Sequence, residues 1–281
     1  MRVYGFLVSR RWVGLGLVAL LVSAACVGLG VWQWNRHVGR VEANALVEDN
    51  YDVAPAPLEE VLDPRAPVPP ERVWRQVELE GRYLGEDVLV RNRPVGSTPA
   101  MEVLTLFAAE LDDGSEVVVV VDRGWLSQAT DTAGPPPAPA GEVRLTGRLR
   151  TAEPPGDRSA PAGQVYRIEP GEVLPAAGVA EEIAASGTPV LQGYVLAGEH
   201  DPPAAEELPA LARPVTDLGP HLSYAFQWWV FALAAPVGLA VLARREAAER
   251  AGEVPGSRRP RSDDEEDALI DAQLSSARPP S

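Results

Sequence analysis

The chain has 281 residues, 46% of them hydrophobic, and a formal net charge of −15; this length suffices for one sizeable domain with accessory segments. All 25 basic residues are arginine, a bias typical of a GC-rich bacterial genome. Because the sequence has no basic stripe to neutralise phosphates, its composition argues against nucleic-acid binding.

The first predicted element is an uncharged segment from Trp12 to Trp34. Because a bilayer core about 30 Å thick needs about 20 helical residues, we predict transmembrane helix 1 at 12–34, behind a cytoplasmic N-terminus at 1–11. Cys26, the single cysteine, follows small residues as at a signal-peptide or lipidation site. The apolar run continues beyond it, which favours an uncleaved anchor over a processed leader.

Residues 35–70 are predicted to be an extracytoplasmic linker, since prolines crowd the stretch 53–70. Residues 71–220, the predicted extracytoplasmic domain, contain strand patterns. Hydrophobic and polar residues alternate in VWRQVELEGRYL, while MEVLTLFAAEL and EVVVVVDRGWL flank a DDGS hairpin turn. EVRLTGRLR and TPVLQGYVLAG predict further strands, and a short helix is expected near 171–186.

The predicted fold class is α+β, with two transmembrane helices flanking a mainly antiparallel β domain that is barrel- or sandwich-like. Val117–Val121 lacks alternation, so it is expected to form a central strand covered on both faces. A V-x-L-x-G-R motif occurs at 77–83 and again at 143–149. It indicates either two equivalent strands with a glycine bend or bulge, or a chance similarity.

The last predicted elements are transmembrane helix 2 at 221–243, from the uncharged run Leu222–Ala243, and a cytoplasmic disordered acidic tail at 244–281. Basic residues near span ends resist translocation, so arginines predict that both termini are cytoplasmic. Arg36 and Arg40, at the opposite end of helix 1, run against this orientation. The supporting arginines are Arg2, Arg10, Arg11, Arg244 and Arg245.

The segment between the spans, 35–220, holds 31 acidic residues against 15 arginines. One interpretation is a well-solvated surface beside anionic lipid. The other is a surface that attracts a basic partner such as a cytochrome.

Motifs of hydrolases, zinc sites and phosphate loops are missing from the sequence, and it has no lysine for catalysis. The chain is therefore predicted not to be an enzyme. Its three histidines are His37, His200 and His221. His200 lies in a proline-rich acidic stretch and is expected to be solvated.

His37 and His221 lie at the predicted outer ends of the two spans. On a helical projection, Gln33 and Gly30 share a side with His37. The corresponding side of helix 2 carries His221, Ala225 and Trp228, with Tyr224 beside them.

A small residue beside histidine and aromatics suits a planar macrocycle, and neutral imidazole is a common axial ligand of haem iron. The second ring nitrogen of such a ligand needs an orienting partner, for which Gln33, Tyr224 or Gln227 is a candidate. The alternative is that these residues only form the polar and aromatic belt typical of membrane interfaces.

Four motifs in order along the chain resemble the Surfeit locus protein 1 family. GVWQWNRHVGR is similar to its first-span signature G-x-W-Q-x-x-R, and HLSYAFQWWVFAL to its second-span signature H-L-x-Y-A-x-Q-W. VLVRNRPVG and VVVVDRGWL resemble its domain motifs. The matching residues are Gly30, Trp32, Gln33, Arg36, Arg91, Arg93, Pro94, Gly96, Asp122–Leu126, His221, Leu222, Tyr224, Ala225, Gln227 and Trp228.

The resemblance implies a bacterial membrane assembly factor for cytochrome c oxidase that binds haem a and delivers it to the catalytic subunit. Oxidase subunits are then the expected partners, with the haem a synthesis enzyme as a further candidate. His221 is the implied iron ligand. The other implied or candidate haem contacts are Trp32, Gln33, Arg36, Tyr224, Trp228 and His37.

Individual residues carry further expectations. Arg36 is expected to pair with a haem propionate or with lipid headgroups. Asp122 and Arg123 are expected to cap a buried strand. Pro236 is expected to kink helix 2, with a neighbouring helix or local adjustments satisfying the freed carbonyl.

Two alternative functions stay open. One is a cofactor-free scaffold for oxidase subunits, and the other is an extracytoplasmic sensor or enzyme unrelated to respiration.

Overall fold

The computed structural model describes residues 4–128 and 134–252. The chain divides into two compact units: the first comprises Met1–Val38 and Gly219–Ser281, and the second comprises Gly39–Leu218. Most of the predicted acidic tail, from residue 253 onward, lies outside the described residues.

Two helices, α1 (Arg10–Asn50) and α5 (His221–Ala251), are long and apolar enough to cross a membrane. α1 continues 16 residues beyond the uncharged segment that ends at Trp34, so the first part of the predicted linker is helical. This continuation contains the helix-favouring residues Ala, Leu, Arg and Glu and no proline. α5 also extends into the predicted tail and ends at Gly252, whose φ of 74° allows its N–H to cap the helix.

The described residues contain one sheet of seven strands, and the longer strands pair antiparallel except β4 with β7. The strand order is β1-β2-β3-β4-β7-β5, with β6 beside β2. β5 also pairs with β2, so the pairings of the five longer strands return to their start. The strands are β1 (Ala56–Pro57), β2 (Gln76–Val90), β3 (Ala100–Glu110), β4 (Glu116–Ser127), β5 (Val143–Thr151), β6 (Gln164–Val165) and β7 (Val190–Asp201).

β3 and β4 confirm the predicted hairpin, with Glu110 opposite Glu116 and a turn in which Gly114 N–H donates to Leu111 O at 2.8 Å. Val117–Val121 is fully buried, as predicted. Its odd-numbered valines pack into one hydrophobic cluster, the first core, and its even-numbered valines into another, the second core. The uninterrupted valine run therefore reflects a strand that is covered on both faces.

The predicted extended linker at 53–70 is instead partly built into the first core. Leu58, Val61, Leu62 and Val68 are buried there, the first two within the short helix α2 (Leu58–Val61). Full burial of each such side chain contributes about 1.5–3 kcal/mol, which favours packing over an extended chain.

The short helix expected near 171–186 is present as two helices, α3 (Pro170–Ala176) and α4 (Ala180–Ser186). Glu169 caps α3 by accepting from Glu172 N–H at 2.9 Å. Both helices cover the second core.

The two V-x-L-x-G-R motifs pair with each other. Val77 lies opposite Gly147, and Gly81 lies opposite Val143. An added Cβ at Gly81, where φ is 152°, would collide with Ala108 O, and one at Gly147 would collide with the Val195 side chain. Both glycines thus allow a neighbouring strand to approach closely, and the β5–β7 register shifts between Leu145 and Gly147.

We expect Gly81→Ala to lower the free energy of unfolding of the second unit by about 3 kcal/mol, because it adds both a backbone strain and a steric clash. Gly114→Ala is the matched control. Its φ of 77° imposes strain, but nothing lies within 4 Å of the added Cβ, so a loss of about 1 kcal/mol is expected. The free energies of unfolding of the two variants are measured in urea, with hydrogen exchange of the strand amides as the probe. Equal losses of stability in the two variants would contradict the steric clash at Gly81.

Candidate functional site

His221, the first residue of α5, is held by a side chain of α1. His221 Nδ1 lies 2.9 Å from Gln33 Oε1. Because an amide oxygen only accepts, Nδ1–H is the donor; in the neutral tautomer with this proton the lone pair lies on Nε2. Of the three candidate orienting partners, the structure places Gln33 on the histidine.

Small residues allow the two helices to approach closely next to this pair. Ala225, one turn after His221, is 0% exposed. Gly30, on α1, is buried, and an added Cβ would collide with the indole ring of Trp229. Trp229 also lies 6.1 Å, between ring centroids, from Trp34. Close backbone approach at small residues is a common device of paired apolar helices.

The structure thus places Trp229 against α1, whereas the helical projection placed Trp228 on the side of His221. The Trp228 ring packs edge-on against Phe231 of its own helix, with 6.0 Å between centroids. The residues of α5 that contact or approach α1 recur every three or four positions, as His221, Ala225 and Trp229 show.

The other predicted site residues are dispersed around the pair. Trp32 is 56% exposed and Tyr224 is 45% exposed, and Arg36 is also exposed. His37 is half-buried, with its ring centroid 6.3 Å from that of Trp34. His37 Nδ1 is buried and has no hydrogen-bond partner among the described residues.

Pro236 in α5 lacks the N–H that would bond Ala232 O in a regular helix. Ser23 Oγ of α1 donates to that carbonyl at 2.8 Å. The expectation that a neighbouring helix satisfies the freed group is confirmed. At the far end of the pair, Trp12 Nε1 donates to Glu246 Oε2 at 3.1 Å, so polar bonds join α1 and α5 at three levels.

In the second unit, the two predicted domain motifs meet around buried charges. Arg93 contacts Glu102 at 3.3 Å and Glu153 at 2.5 Å. Asp122, near Glu102, is 2% exposed; its Oδ1 accepts from Gly124 N–H at 3.0 Å, and its Oδ2 has no partner among the described residues. Asp122 and Arg123 lie inside β4 rather than capping it, which corrects the sequence expectation.

Burial raises the pKa of Asp122 well above its ordinary value, and the nearby Glu102 carboxylate adds to this rise. Burial also raises the pKa of Glu102, although the Arg93 guanidinium opposes it. Asp122 is therefore neutral over a wider pH range than an exposed aspartate.

Arg123 belongs to a second buried network, which sequence reasoning missed. Arg123 Nη1 lies 3.0 Å from Asp87 Oδ1, and its Nη2 donates to Pro136 O at 2.7 Å. The guanidinium lies 5.9 Å from the centre of the Tyr83 ring, whose hydroxyl is 2.7 Å from His200 Nε2.

His200 is thus half-buried and hydrogen-bonded at the end of β7, not simply solvated as expected. Burial lowers its pKa, and the positive charge of Arg123 lowers it further. Among the described residues, no group of three or more His, Cys, Asp or Glu side chains is arranged to hold a metal ion.

The chain is similar to proteins of one family. The family model described as the SURF1 family matches residues 20–233. SURF1-like proteins of Mycobacterium bovis and Mycobacterium tuberculosis, described as uncharacterized, are 33% identical over 261 residues. The alignment covers 90% of this chain and 90% of each relative. The matched region contains Gln33, His221 and the whole second unit.

We expect Ser23→Ala to weaken the α1–α5 contact by about 1 kcal/mol, because Ala232 O then loses its donor. In a Pro236→Ala background the same change should cost little, since residue 236 regains an N–H for Ala232 O. A double-mutant cycle on the thermal stability of the purified protein measures the coupling. Equal losses in the two backgrounds would refute this role of Ser23.

We expect ionisation of Asp122 to lower the free energy of unfolding of the second unit. Its raised pKa means that the folded state retains a proton that the unfolded chain releases at about pH 4. The stabilisation is complete below that pH and is lost as the pH rises through the folded-state pKa. Asp122→Asn keeps the acceptor for Gly124 N–H and cannot ionise, so it should gain stability relative to the native protein as the pH rises.

Asp113→Asn is the control of opposite sign. Hydrogen bonds from the Ser115 side chain and backbone lower the pKa of Asp113, which is exposed. The variant should therefore lose stability relative to the native protein as the pH rises. Urea unfolding between about pH 2 and 8, followed through the strand amides, tests both, because Asp113 titrates below about pH 4 and Asp122 above it; a pH-independent difference for Asp122→Asn would contradict its neutral state.

Proposed function

Because the chain belongs to the SURF1 family, generally cytochrome oxidase assembly factors, we propose that it binds haem a and assists its insertion into the catalytic subunit of cytochrome c oxidase. The SURF1 family is a family of assembly factors and not of enzymes, which supports a role in assembly. The observation that carries the proposal is the hydrogen bond from His221 to Gln33.

In this proposal α1 and α5 anchor the protein in the bacterial cell membrane. Their apolar segments are long enough to span it, and arginines at Arg10, Arg11, Arg244 and Arg245 favour cytoplasmic termini. The second unit then lies outside the cytoplasm. Its closed circuit of strand pairings is our reason for proposing a small β-barrel.

An imidazole held by a hydrogen bond between the two helices supports haem binding. Neutral imidazole is a common haem ligand, and a hydrogen bond to one ring nitrogen fixes the other for the metal. Gln33 makes that bond to Nδ1, which leaves Nε2 of His221 for iron. When bound, haem a supplies an iron centre that takes such an axial ligand.

Neighbouring residues fit the rest of the group. Trp34 and Trp229 provide aromatic surface beside the pair, and the exposed guanidinium of Arg36 suits a propionate. His37, with its unpartnered buried Nδ1, is the candidate second ligand. Trp32, Tyr224 and Trp228 complete the proposed contacts. Oxidase subunits, and the haem a synthesis enzyme as donor, are the proposed partners.

We expect the protein purified from cells that make haem a to carry it, and His221→Ala to abolish most of the Soret absorption. Added imidazole should restore the absorption, because it replaces the lost ligand. Gln33→Leu should lower haem affinity about 10–100-fold, as loss of an orienting partner does, whereas Gln33→Glu keeps an acceptor and should lose less.

His200→Ala, in the second unit, is the matched control and should leave haem content unchanged. His37→Ala tests the candidate second ligand. Loss of a second histidine ligand should change the spin state of the iron, and an unchanged spin state would leave His221 as the one histidine ligand. A native protein that captures oxidase subunits but carries no haem would contradict haem binding and favour a cofactor-free scaffold. Normal oxidase activity after deletion of the gene would contradict the assembly role itself.

A further inference from the structure

An apolar groove of about 510 Å³ lies between α1 and α5. Its walls include Gly16, Ala19 and Ser23 on α1, and Trp229, Ala232 and Pro236 on α5. Small side chains on both helices leave this space open, whereas the helices close on each other at Gly30 and Ala225.

The groove offers no unmet polar group to an occupant. Ser23 Oγ, in its wall, already donates to the Ala232 carbonyl that Pro236 frees. No charged residue lies within the segments 12–34 and 222–243 that form the groove. A ligand that fills it must therefore be hydrocarbon, because a buried polar group without a partner is costly.

The groove lies between the same two helices as the His221–Gln33 pair, at a different level along them. Trp229 follows His221 by two helical turns, or about 12 Å, and Pro236 follows Trp229 by about 10 Å. The Trp229 ring therefore marks the boundary between the polar His221–Gln33 pair and the apolar groove. A ligand held at His221 needs a long, flexible hydrocarbon arm to reach this groove.

We infer that the groove holds the isoprenoid chain of haem a, the long hydrocarbon substituent that haem a shares with haem o and that haem b lacks. This inference rests on the proposed function, in which His221 binds the haem iron. The extended chain spans several helical turns, so from a macrocycle at His221 it reaches the walls at Ser23 and Ala232. The groove thus makes the site selective for prenylated haems.

Titration of the purified protein with haem a, haem o and haem b, followed by visible absorption, tests this selectivity. The native protein should bind haem a and haem o about 10-fold or more tightly than haem b. Ala232→Phe and Ala19→Phe fill the groove and should reduce the affinity for both prenylated haems to that for haem b. Binding of haem b should not change, which also shows that the helix pair is intact.

Ala234→Phe and Ala24→Phe are matched controls, because both alanines are exposed on the same helices and do not line the groove. They should leave all three affinities unchanged. If Ala232→Phe lost all three haems through distortion of the pair, the native preference and Ala19→Phe would decide.

Equal affinity of the native protein for the three haems would overturn the inference and leave His221 as the haem ligand. Groove-filling variants that displace co-purifying lipid but keep the native haem preference would assign the groove to an acyl chain, and so overturn it too. Absence of binding of any haem, with no effect of His221→Ala, would instead refute the proposed function.

Discussion

The hydrogen bond between His221 Nδ1 and Gln33 Oε1 is the constraint from which the rest of the helix pair follows. A distance of 2.9 Å between side chains of two helices requires the backbones to lie close together. Gly30 and Ala225 supply the small side chains that permit this approach. Without the bond either ring nitrogen is free to carry the proton; with it, the acceptor nitrogen is fixed.

The sequence predicted the elements whose local pattern and packing agree. The valine run in β4 indicated a strand covered on both faces, and the DDGS turn indicated its hairpin partner. The prediction of an extended linker at 53–70 relied on its proline content and overlooked four apolar side chains, which are buried in the first core. α1 exceeded its predicted end because the charges beyond Trp34 end a membrane span without ending a helix.

The sequence predicts which residues share a side of one helix, but not how the second helix is placed against that side. Periodicity placed Gln33 and His221 correctly on facing sides, but a projection centred on His221 pointed to Trp228. In the structure Ala225 is the fully buried residue of this part of α5, and Trp229, one turn further, packs against Gly30 of α1. Which tryptophan faces α1 depends on where α1 lies, and the pattern of α5 alone does not give that position. The Tyr83–His200 contact joins residues 117 positions apart, and local patterns carry no signal for it.

The polar clusters of the two units differ in how many of their hydrogen-bonding groups already have partners. In the second unit, Arg93 and Arg123 are each held by carboxylates, and Arg123 also by a backbone carbonyl. Separating these pairs would leave buried charges uncompensated, and beside them Asp122 Oδ2 has no partner among the described residues. His221 differs because its internal bond is made by Nδ1, and in the proposed function Nε2 binds the iron. An oriented ring with one nitrogen uncommitted agrees with the proposed role, in which the protein receives haem a and then releases it.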